Sequence, residues 1–317
     1  MEEQTMIIKP KSPYNIKPHW ENYAFEQPQP HIYEDGVWRR ALRLGNKRVV
    51  PTEVEINEDV EDPRLKLSFY ADLDKAERKE VVEKLKWIFN TEYDLKPLYS
   101  FMDSDPTLRE LRNHHYGLKP SYISTVYEGI ITAIIQQQIS LRIAGHMARL
   151  LIQKFGEYIE VNGKEFWEFP SPQKLSHAKV EDLRSCGLSG RKAEYIIDFS
   201  TAAAQSEFDP ESLKNCEHEE IIEKLIQIRG LGRWTAEMAI VTSINVENMS
   251  PAGDLGARKA ISRFYNQDEL ISEEEAREFT EKWGVYKGII TYYLIAEYLH
   301  DKQNTKPNPG KINPEHK

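Results

Sequence analysis

The chain has 317 residues, of which 40% are hydrophobic and 29% charged, and it carries a net charge of −9 and two cysteines. This length allows two compact domains, while two cysteines exclude a disulfide scaffold or a four-cysteine zinc or iron–sulfur site and favour a reducing, intracellular compartment. No stretch approaches the roughly 18 apolar residues of a membrane span, and the polar start does not resemble a secretory signal, so we expect no membrane association.

The first third of the chain, residues 1–112, has the pattern of a small α+β domain. Strand-like stretches occupy residues 37–45, 48–57 and 64–71, and Asp35-Gly36 and Gly45-Asn46 supply turn residues. Residues 74–90 then place apolar side chains at helical spacing, which predicts an amphipathic helix.

The chain from residue 113 to residue 300 is predicted to be helical. Ser140 is a good N-cap for the second of these helices, and Gly156 ends it. The predicted helices are 122–135, 141–156, 171–185, 191–205, 218–244 with an interruption, 255–265, and 272–300 as one or two helices. The polar, proline-rich residues 301–317 are predicted to be a disordered tail.

The sequence IRGLGRWTAEMAI, residues 228–240, ends one apolar helix at Gly230-Leu231-Gly232 and begins another. Such a turn exposes backbone N–H groups at the partially positive start of the second helix, where a nucleic-acid phosphate can bind without its sequence being read. The alternative is an ordinary turn with glycine as C-cap. The pI of 5.6 argues against nucleic acid, but a basic group lies near the hairpin: Arg229, Arg233, Arg258, Lys259 and Arg263.

A distinctive acid follows in NMSPAGDLGARKAISRF, residues 248–264. Pro251 and Gly253 form a tight entry, and Asp254 stands just before a helix. Asp is a preferred N-cap residue, and a carboxylate held at this end of a helix is also suited to face a developing cation. The residues alone leave both roles open.

The chain contains, in this order, the segments IIQQQIS, GLGRWTA and PAGDLGARKAI. With these segments it resembles the helix–hairpin–helix–Gly/Pro–Asp (HhH-GPD) superfamily of DNA glycosylases, in particular the 3-methyladenine DNA glycosylase II (AlkA) type. The resemblance covers about residues 120–300, and more weakly the first third. It implies a mainly α-helical glycosylase fold preceded by a small antiparallel-sheet α+β domain. It also implies a monomer that acts on double-stranded DNA containing damaged bases.

The resemblance implies that the enzyme flips out an alkylated purine, such as 3-methyladenine or 7-methylguanine, and hydrolyses its N-glycosidic bond to leave an abasic site. Asp254 is then the catalytic carboxylate and Trp234 lines the base pocket. Tyr127, Tyr286 and Met238 are weaker pocket candidates, with core packing as the alternative for each. The residues expected to hold the DNA backbone are Gly230, Leu231, Gly232, Arg233 and Thr235.

Base flipping needs a side chain that fills the gap in the stack. The family places this wedge in the turn after the first long helix, where Gln138 matches the wedge position, with Ile139 as the alternative. The archetype has leucine there, and the glutamines could simply end the helix. A second departure is Ile295 in place of a pocket tryptophan, for which Tyr292 or Tyr293 could compensate.

Bifunctional relatives carry a lysine nucleophile at position 234, so the tryptophan implies a monofunctional glycosylase without AP-lyase activity. The missing cysteine cluster argues against an iron–sulfur cluster, and no cofactor is expected to be required. A structural monovalent cation at the backbone carbonyls of Ile226, Ile228 and Leu231 stays open. The alternatives are a glycosylase for deaminated or oxidised purines and a non-catalytic DNA-binding module. We expect the cytoplasm if the source is prokaryotic and the nucleus if it is eukaryotic.

Overall fold

An antiparallel five-stranded sheet, in the order β1-β5-β4-β3-β2, forms the N-terminal part of the protein. The computed structural model describes residues 4–22 and 26–304. The elements of this part are β1 (Gln4–Ile8), α1 (Lys17–Asn22), β2 (Ile32–Glu34), β3 (Val37–Arg43), β4 (Val49–Ile56), β5 (Leu65–Phe69) and α2 (Lys75–Ile88). The predicted strands and the predicted helix at residues 74–90 are confirmed.

Helix α2 covers one face of this sheet. It begins at Asp74, whose side chain accepts hydrogen bonds from the backbone N–H groups of Ala76 and Glu77, while the Glu77 side chain accepts from Asp74 N. Its buried face, formed by Val81, Leu85 and Ile88, joins the apolar side chains of the strands in one core. Burial of this stripe stabilises the packing of helix on sheet.

The remaining elements are helical apart from one hairpin. They are α3 (Leu95–Met102), α4 (Pro106–His114), α5 (Val126–Gln136), α6 (Leu141–Phe155), β6 (Glu157–Val161), β7 (Lys164–Glu168), α7 (Pro172–Ser176), α8 (Val180–Arg184), α9 (Gly190–Ala204), α10 (His218–Ile226), α11 (Arg233–Ser243), α12 (Leu255–Tyr265), α13 (Glu273–Glu281) and α14 (Lys287–Asn304). Short 3₁₀ helices occupy Pro210–Asn215 and Gly284–Tyr286. The predicted helices are confirmed except at residues 171–185, which form two short helices, α7 and α8, and not one. Residues 218–244 divide into α10 and α11.

Two apolar cores hold the helices. One lies among α5, α6, α9, α10 and α11, and the other lies among α3, α4, α12, α13 and α14. Helices α3 and α4 therefore pack with the C-terminal helices, although α3 and most of α4 lie before the predicted boundary at residue 112, which falls within α4. The division into domains at residues 112 and 113 stays a prediction.

The hairpin of β6 and β7 is an element that the prediction of a helical segment missed. Its strands pair antiparallel across Asn162-Gly163, where both residues have positive φ (53° and 75°). An Asn-Gly pair between alternating apolar and polar residues is the strongest short-range hairpin signal, so the sequence did contain the information. Phe166 of the hairpin packs with Ala41 and Tyr70 of the N-terminal sheet.

A buried ion cluster also connects the N-terminal sheet to the helical part. Arg40 on β3 donates to Glu128 on α5 at 3.1 and 2.7 Å and to Glu168 on β7 at 2.6 Å. All three side chains are at most 6% exposed. Breaking such a cluster leaves a buried charge uncompensated, which is strongly destabilising.

Helix α14 changes one expectation for the end of the chain. It continues to Asn304, so the first residues of the predicted disordered tail, 301–304, are helical because they extend the last helix. The rest of the predicted tail lies outside the described residues. In the part of the chain that the structure describes, no helix is long and apolar enough to cross a membrane.

Candidate active site

The turn between α10 and α11 uses its two glycines for different reasons. Gly230 has φ +88°, and a Cβ there would lie 2.2 Å from the Tyr195 ring, so both conformation and space demand glycine. Gly232 is the N-cap of α11 with φ −100°, and a Cβ there would meet nothing within 4 Å. The fold therefore explains Gly230, whereas Gly232 keeps the start of α11 open toward solvent.

The start of α11 is the end of the hairpin that faces outward. No side chain caps it, although helix starts leave their first N–H groups without intrahelical partners. Thr235 is buried and its hydroxyl accepts a hydrogen bond from Gln137, and Leu231 is buried in the core. Of the predicted backbone-binding residues, Leu231 and Thr235 thus have side chains that point inward, and the Leu231 N–H already donates to Ile228 O at 3.0 Å.

Two arginines near the hairpin, Arg229 and Arg233, are already paired with carboxylates. Arg229 contacts Glu194 and Asp198 at 2.5 and 3.0 Å. Arg233 contacts Glu219 and the fully buried Glu237, both at 3.0 Å. The charges of Arg229 and Arg233 are therefore largely neutralised, and the start of α11 adds positive potential beside them.

Asp254 and Trp234 lie together, although they are 20 residues apart in the chain. Asp254 is the N-cap of α12, and its Oδ1 accepts from Ala257 N at 2.9 Å. Its Oδ2 lies 3.4 Å from Trp234 Nε1, which donates to it. A Cβ on Gly253 would lie 3.4 Å from Trp234 Cδ1, so the glycine lets the loop pass close to the indole. Capping and a functional role thus use different oxygens of one carboxylate.

The weaker pocket candidates do not all join this pair. Met238 is half-buried one turn beyond Trp234 on α11, and therefore lies on the same face. Tyr127 is a core residue instead, 6% exposed, stacked on Phe199 with its hydroxyl 2.7 Å from Ser200 Oγ. Its aromatic ring serves packing, which corrects its assignment to the pocket.

The C-terminal tyrosines also have other partners. Tyr286 is half-buried and packs on Phe101. Tyr293 is fully buried and donates to Leu118 O at 2.7 Å, while the Tyr292 hydroxyl lies 2.8 Å from His19 Nδ1. These contacts do not place Tyr292 or Tyr293 beside Trp234 as substitutes for the missing tryptophan near Ile295.

The predicted wedge lies at the tip of the turn between α5 and α6. Gln138 is exposed with φ +57°, whereas Ile139 is partly buried against the core. Two anchors that sequence reasoning missed hold this turn. Gln137 Nε2 donates to Gly230 O at 2.9 Å, and Lys192 Nζ donates to the carbonyls of Ile135 and Gln137 at 2.8 and 2.7 Å. The turn is thus fastened directly to the glycine hairpin.

The carbonyls proposed for a cation lie at the end of α10. Ile226 is the last residue of that helix, where carbonyl groups lack intrahelical donors. Ile228 O accepts from Leu231 N at 3.0 Å and keeps a second lone pair. These groups fit a cation that prefers oxygen ligands.

A cavity of about 280 Å³ opens next to the hairpin helices, but Asp254 and Trp234 do not line it. Its lining is mostly polar and charged, with Arg233 as the member shared with the hairpin: Glu217, His218, Glu219, Arg233, Asn248, Met249, Ser250, Arg277, Thr280, Glu281 and Lys287. Asp254 and Trp234 are each half-buried, so part of each residue is exposed at the surface.

Comparison with known proteins agrees with this arrangement. Residues 131–284 match the family described as HhH-GPD superfamily base excision DNA repair protein. The solved structure of a 3-methyladenine DNA glycosylase from Archaeoglobus fulgidus is 33% identical, covers 95% of this chain and 100% of its own, and superimposes with a TM-score of 0.82. The chain belongs to the HhH-GPD superfamily.

Two further proteins show what the similarity in sequence and the similarity in fold each support. The DNA-3-methyladenine glycosylase of Bacillus subtilis is 28% identical over 222 residues, which are 70% of this chain and 73% of that protein. An 8-oxoguanine glycosylase/lyase of Clostridium acetobutylicum is 20% identical, covers 94% of this chain and 98% of its own, with a TM-score of 0.71. At 20% identity, the similarity to the 8-oxoguanine glycosylase/lyase shows only a shared fold. The fold therefore does not identify the damaged base.

Proposed function

We propose that this HhH-GPD protein is a monofunctional DNA glycosylase that removes alkylated purines from double-stranded DNA and leaves an abasic site. The observation that carries the proposal is the contact between Trp234 and Asp254, because it joins an aromatic surface for a base to a carboxylate. The relatives named for 3-methyladenine in Archaeoglobus fulgidus and Bacillus subtilis support the choice of substrate.

In this proposal, Asp254 stabilises positive charge that develops on the sugar as the N-glycosidic bond breaks. Its Oδ1 is held by Ala257 N at the start of α12, and the partial positive charge of the helix favours the carboxylate. Oδ2 then accepts the Trp234 indole N–H and keeps a lone pair for the developing charge. A carboxylate fixed before the reaction stabilises an oxocarbenium-like transition state without reorganising. It can also orient the attacking water.

Trp234 selects the base through its ring. Alkylation at N3 or N7 makes a purine cationic, and a cationic ring stacks favourably on the electron-rich indole. The same positive charge makes the base a good leaving group, so the reaction needs no strong general acid. The side chain of Trp234 carries no amine, which supports cleavage by water rather than through a Schiff base.

The hairpin and the α5–α6 turn prepare the DNA. The open start of α11 at Gly232 holds a backbone phosphate through N–H groups. Gln138 occupies the space left by the flipped nucleotide, because it is the exposed residue at the tip while Ile139 packs inward. Gln137 connects the two parts by its bond to Gly230 O. The protein acts as a monomer in this proposal.

A monovalent cation would be held by the carbonyls of Ile226, Ile228 and Leu231. When bound, it would supply positive charge between the hairpin and a DNA phosphate. No step of the proposed reaction depends on it. Replacing K⁺ by a bulky organic cation in a DNA-binding assay would test its contribution.

One observation favours a second candidate, a glycosylase for deaminated or oxidised purines. The family archetype has a pocket tryptophan near the position of Ile295, and Tyr292 and Tyr293 are engaged elsewhere. With fewer aromatic rings, selection for cationic bases rests mainly on Trp234. A neutral damaged purine would then be less strongly disfavoured.

The experiment that tests the proposal compares free-base release from duplexes that contain 7-methylguanine, 3-methyladenine, hypoxanthine or 8-oxoguanine. Each reaction is divided, and one part is treated with alkali and another with borohydride. The proposal predicts release of the methylated purines, strand breaks only after alkali and no borohydride-trapped complex. Release of hypoxanthine or 8-oxoguanine instead would support the second candidate, and a trapped complex would contradict the monofunctional assignment.

A further inference from the structure

A cluster of metal-binding side chains lies on α14, apart from Asp254 and the hairpin. Glu297, His300 and Asp301 stand at positions i, i+3 and i+4, so they share one face of the helix. One ligand atom from each lies within 4.8 Å of the others. Carboxylate oxygens and imidazole nitrogens are ligands that zinc and related ions prefer.

The end of α4 adds two more imidazoles. His114 Nδ1 donates to Glu297 Oε1 at 3.2 Å, and His115 Nε2 lies 2.6 Å from Glu297 Oε2. His115 and Glu297 are each only 8% exposed. Neither His115 Nε2 nor Glu297 Oε2 has a hydrogen bond of acceptable geometry, despite their short separation. Buried polar atoms of this kind are normally satisfied.

We propose that Glu297, His300 and Asp301 of α14, together with His115 of α4, bind one divalent transition-metal ion, with Zn²⁺ as the best match. The ion would accept the lone pairs of His115 Nε2 and Glu297 Oε2, which explains why these two buried atoms face each other without a hydrogen bond. His114 would then orient Glu297 through its other oxygen, as outer-shell partners of metal ligands do.

The spacing requires only small movements. Ligand atoms around a tetrahedral zinc ion lie about 3.4 Å apart, given bonds of about 2.1 Å. His115 Nε2 and Glu297 Oε2 would separate from 2.6 Å, and the ligand atoms of Glu297, His300 and Asp301, now within 4.8 Å of one another, would draw closer. Asp301 Oδ2 lies 3.9 Å from Arg263 Nε, and both side chains are partly exposed, so this ion pair is a weak one.

Such an ion would fasten α4 to α14 and so stabilise the core that these helices share with α12. Metal that binds the folded chain alone raises its thermal stability. If these residues do not form a metal site, they form only an ion-pair cluster. A metal site takes up Zn²⁺, whereas an ion-pair cluster does not.

The test uses the full-length chain without a histidine tag, stripped of metal by a chelator. Zn²⁺ uptake is measured by competition with a coloured chelator, and Co²⁺ uptake by its visible absorption. We expect one equivalent per chain, a visible band typical of tetrahedral Co²⁺, and a rise in Tm on adding Zn²⁺. In His300→Ala and Glu297→Gln the affinity should fall at least about tenfold.

His177→Ala is the matched control, because His177 is an exposed histidine directly after α7 that lies outside the cluster. This variant should bind Zn²⁺ as the wild type does. Since His300 is exposed, its alanine variant should fold even if Glu297→Gln does not. Absence of saturable uptake, or equal affinity in His300→Ala and the wild type, would overturn the proposal and leave an ion-pair cluster only.

Discussion

Trp234 donates its indole N–H to Asp254 Oδ2 at 3.4 Å, while Asp254 Oδ1 caps α12 at 2.9 Å. Two helices therefore begin beside each other, α11 just before Trp234 and α12 just after Asp254. Their partially positive ends lie near one carboxylate and one aromatic ring. The predictions below separate the contributions of these parts.

Removing the indole should impair base release more than DNA binding. In Trp234→Ala the flipped base loses its stacking surface, which is worth about 1–3 kcal/mol, so single-turnover release should slow about 10- to 100-fold. Trp234→Phe should retain part of the rate because it keeps a ring. Trp167→Ala on β7 is the control and should release base normally. Equal rates in Trp234→Ala and the wild type would remove Trp234 from the base pocket.

A carboxylate at Gly232 should repel DNA. Gly232 has ordinary φ and open space, so Gly232→Asp should fold normally but place negative charge where a phosphate binds. We expect at least about tenfold weaker binding at low salt, by fluorescence anisotropy with undamaged duplex. Gly190→Asp is the control, because Gly190 also begins a helix and also faces open space. Unchanged affinity in Gly232→Asp would contradict the hairpin assignment.

Stability and activity should move in opposite directions at Gln138. Its φ of +57° favours glycine, so Gln138→Gly should leave the free energy of unfolding equal or raise it by up to about 1 kcal/mol. Loss of the side chain should nevertheless slow base release, because no side chain then fills the gap that the flipped nucleotide leaves in the stack. Lys47→Gly, at φ +69° in an exposed turn, should show the same stability effect with normal activity. Normal release by Gln138→Gly would mean that another residue is the wedge.

Stability should fall in mild acid, partly through His31. Burial, together with the charges of Arg40 and His19, lowers the pKa of His31 to about 3. In the unfolded chain His31 binds a proton below about pH 6.5, whereas in the folded chain it does so only near pH 3. Between these pH values the free energy of unfolding therefore falls by about 1 kcal/mol for each unit by which the pH is lowered.

The comparison of variants isolates this contribution. Urea unfolding at pH 7 and pH 5 should show a smaller loss for His31→Phe than for the wild type, while His177→Phe on the surface should match the wild type. Burial raises the pKa of Glu128 to about 6, so protonation of Glu128 increases the free energy of unfolding as the pH falls. Because Glu128 is present in every variant, its contribution cancels in the comparison. Identical pH dependence in His31→Phe and the wild type would show that His31 does not contribute.

How far the sequence predicts the site depends on how local its contacts are. The glycine hairpin, the Asp254 cap and the start of α11 follow from residues within a few positions of each other, and the prediction located them. The Arg40 cluster joins side chains 88 and 128 positions apart, which no local pattern reveals. The same holds for Gln137 and Gly230, 93 positions apart. The β6–β7 hairpin differs, because its Asn162-Gly163 signal was present and was not used.

The central claim is that Asp254 is the catalytic carboxylate, and Asp254→Asn tests it most directly. Asparagine also caps helices, so the variant should keep its fold and its affinity for DNA while losing the negative charge. Asp74→Asn, at the cap of α2, is the control for capping without catalysis.

The measurement is single-turnover release of 7-methylguanine from a duplex, with Tm and DNA affinity recorded for each variant. The account predicts a loss of at least about 100-fold in Asp254→Asn, as expected for removing a preorganised charge, with normal Tm and affinity. Asp74→Asn should retain the wild-type rate. Release by Asp254→Asn at a rate near that of the wild type would show that Asp254 only caps α12.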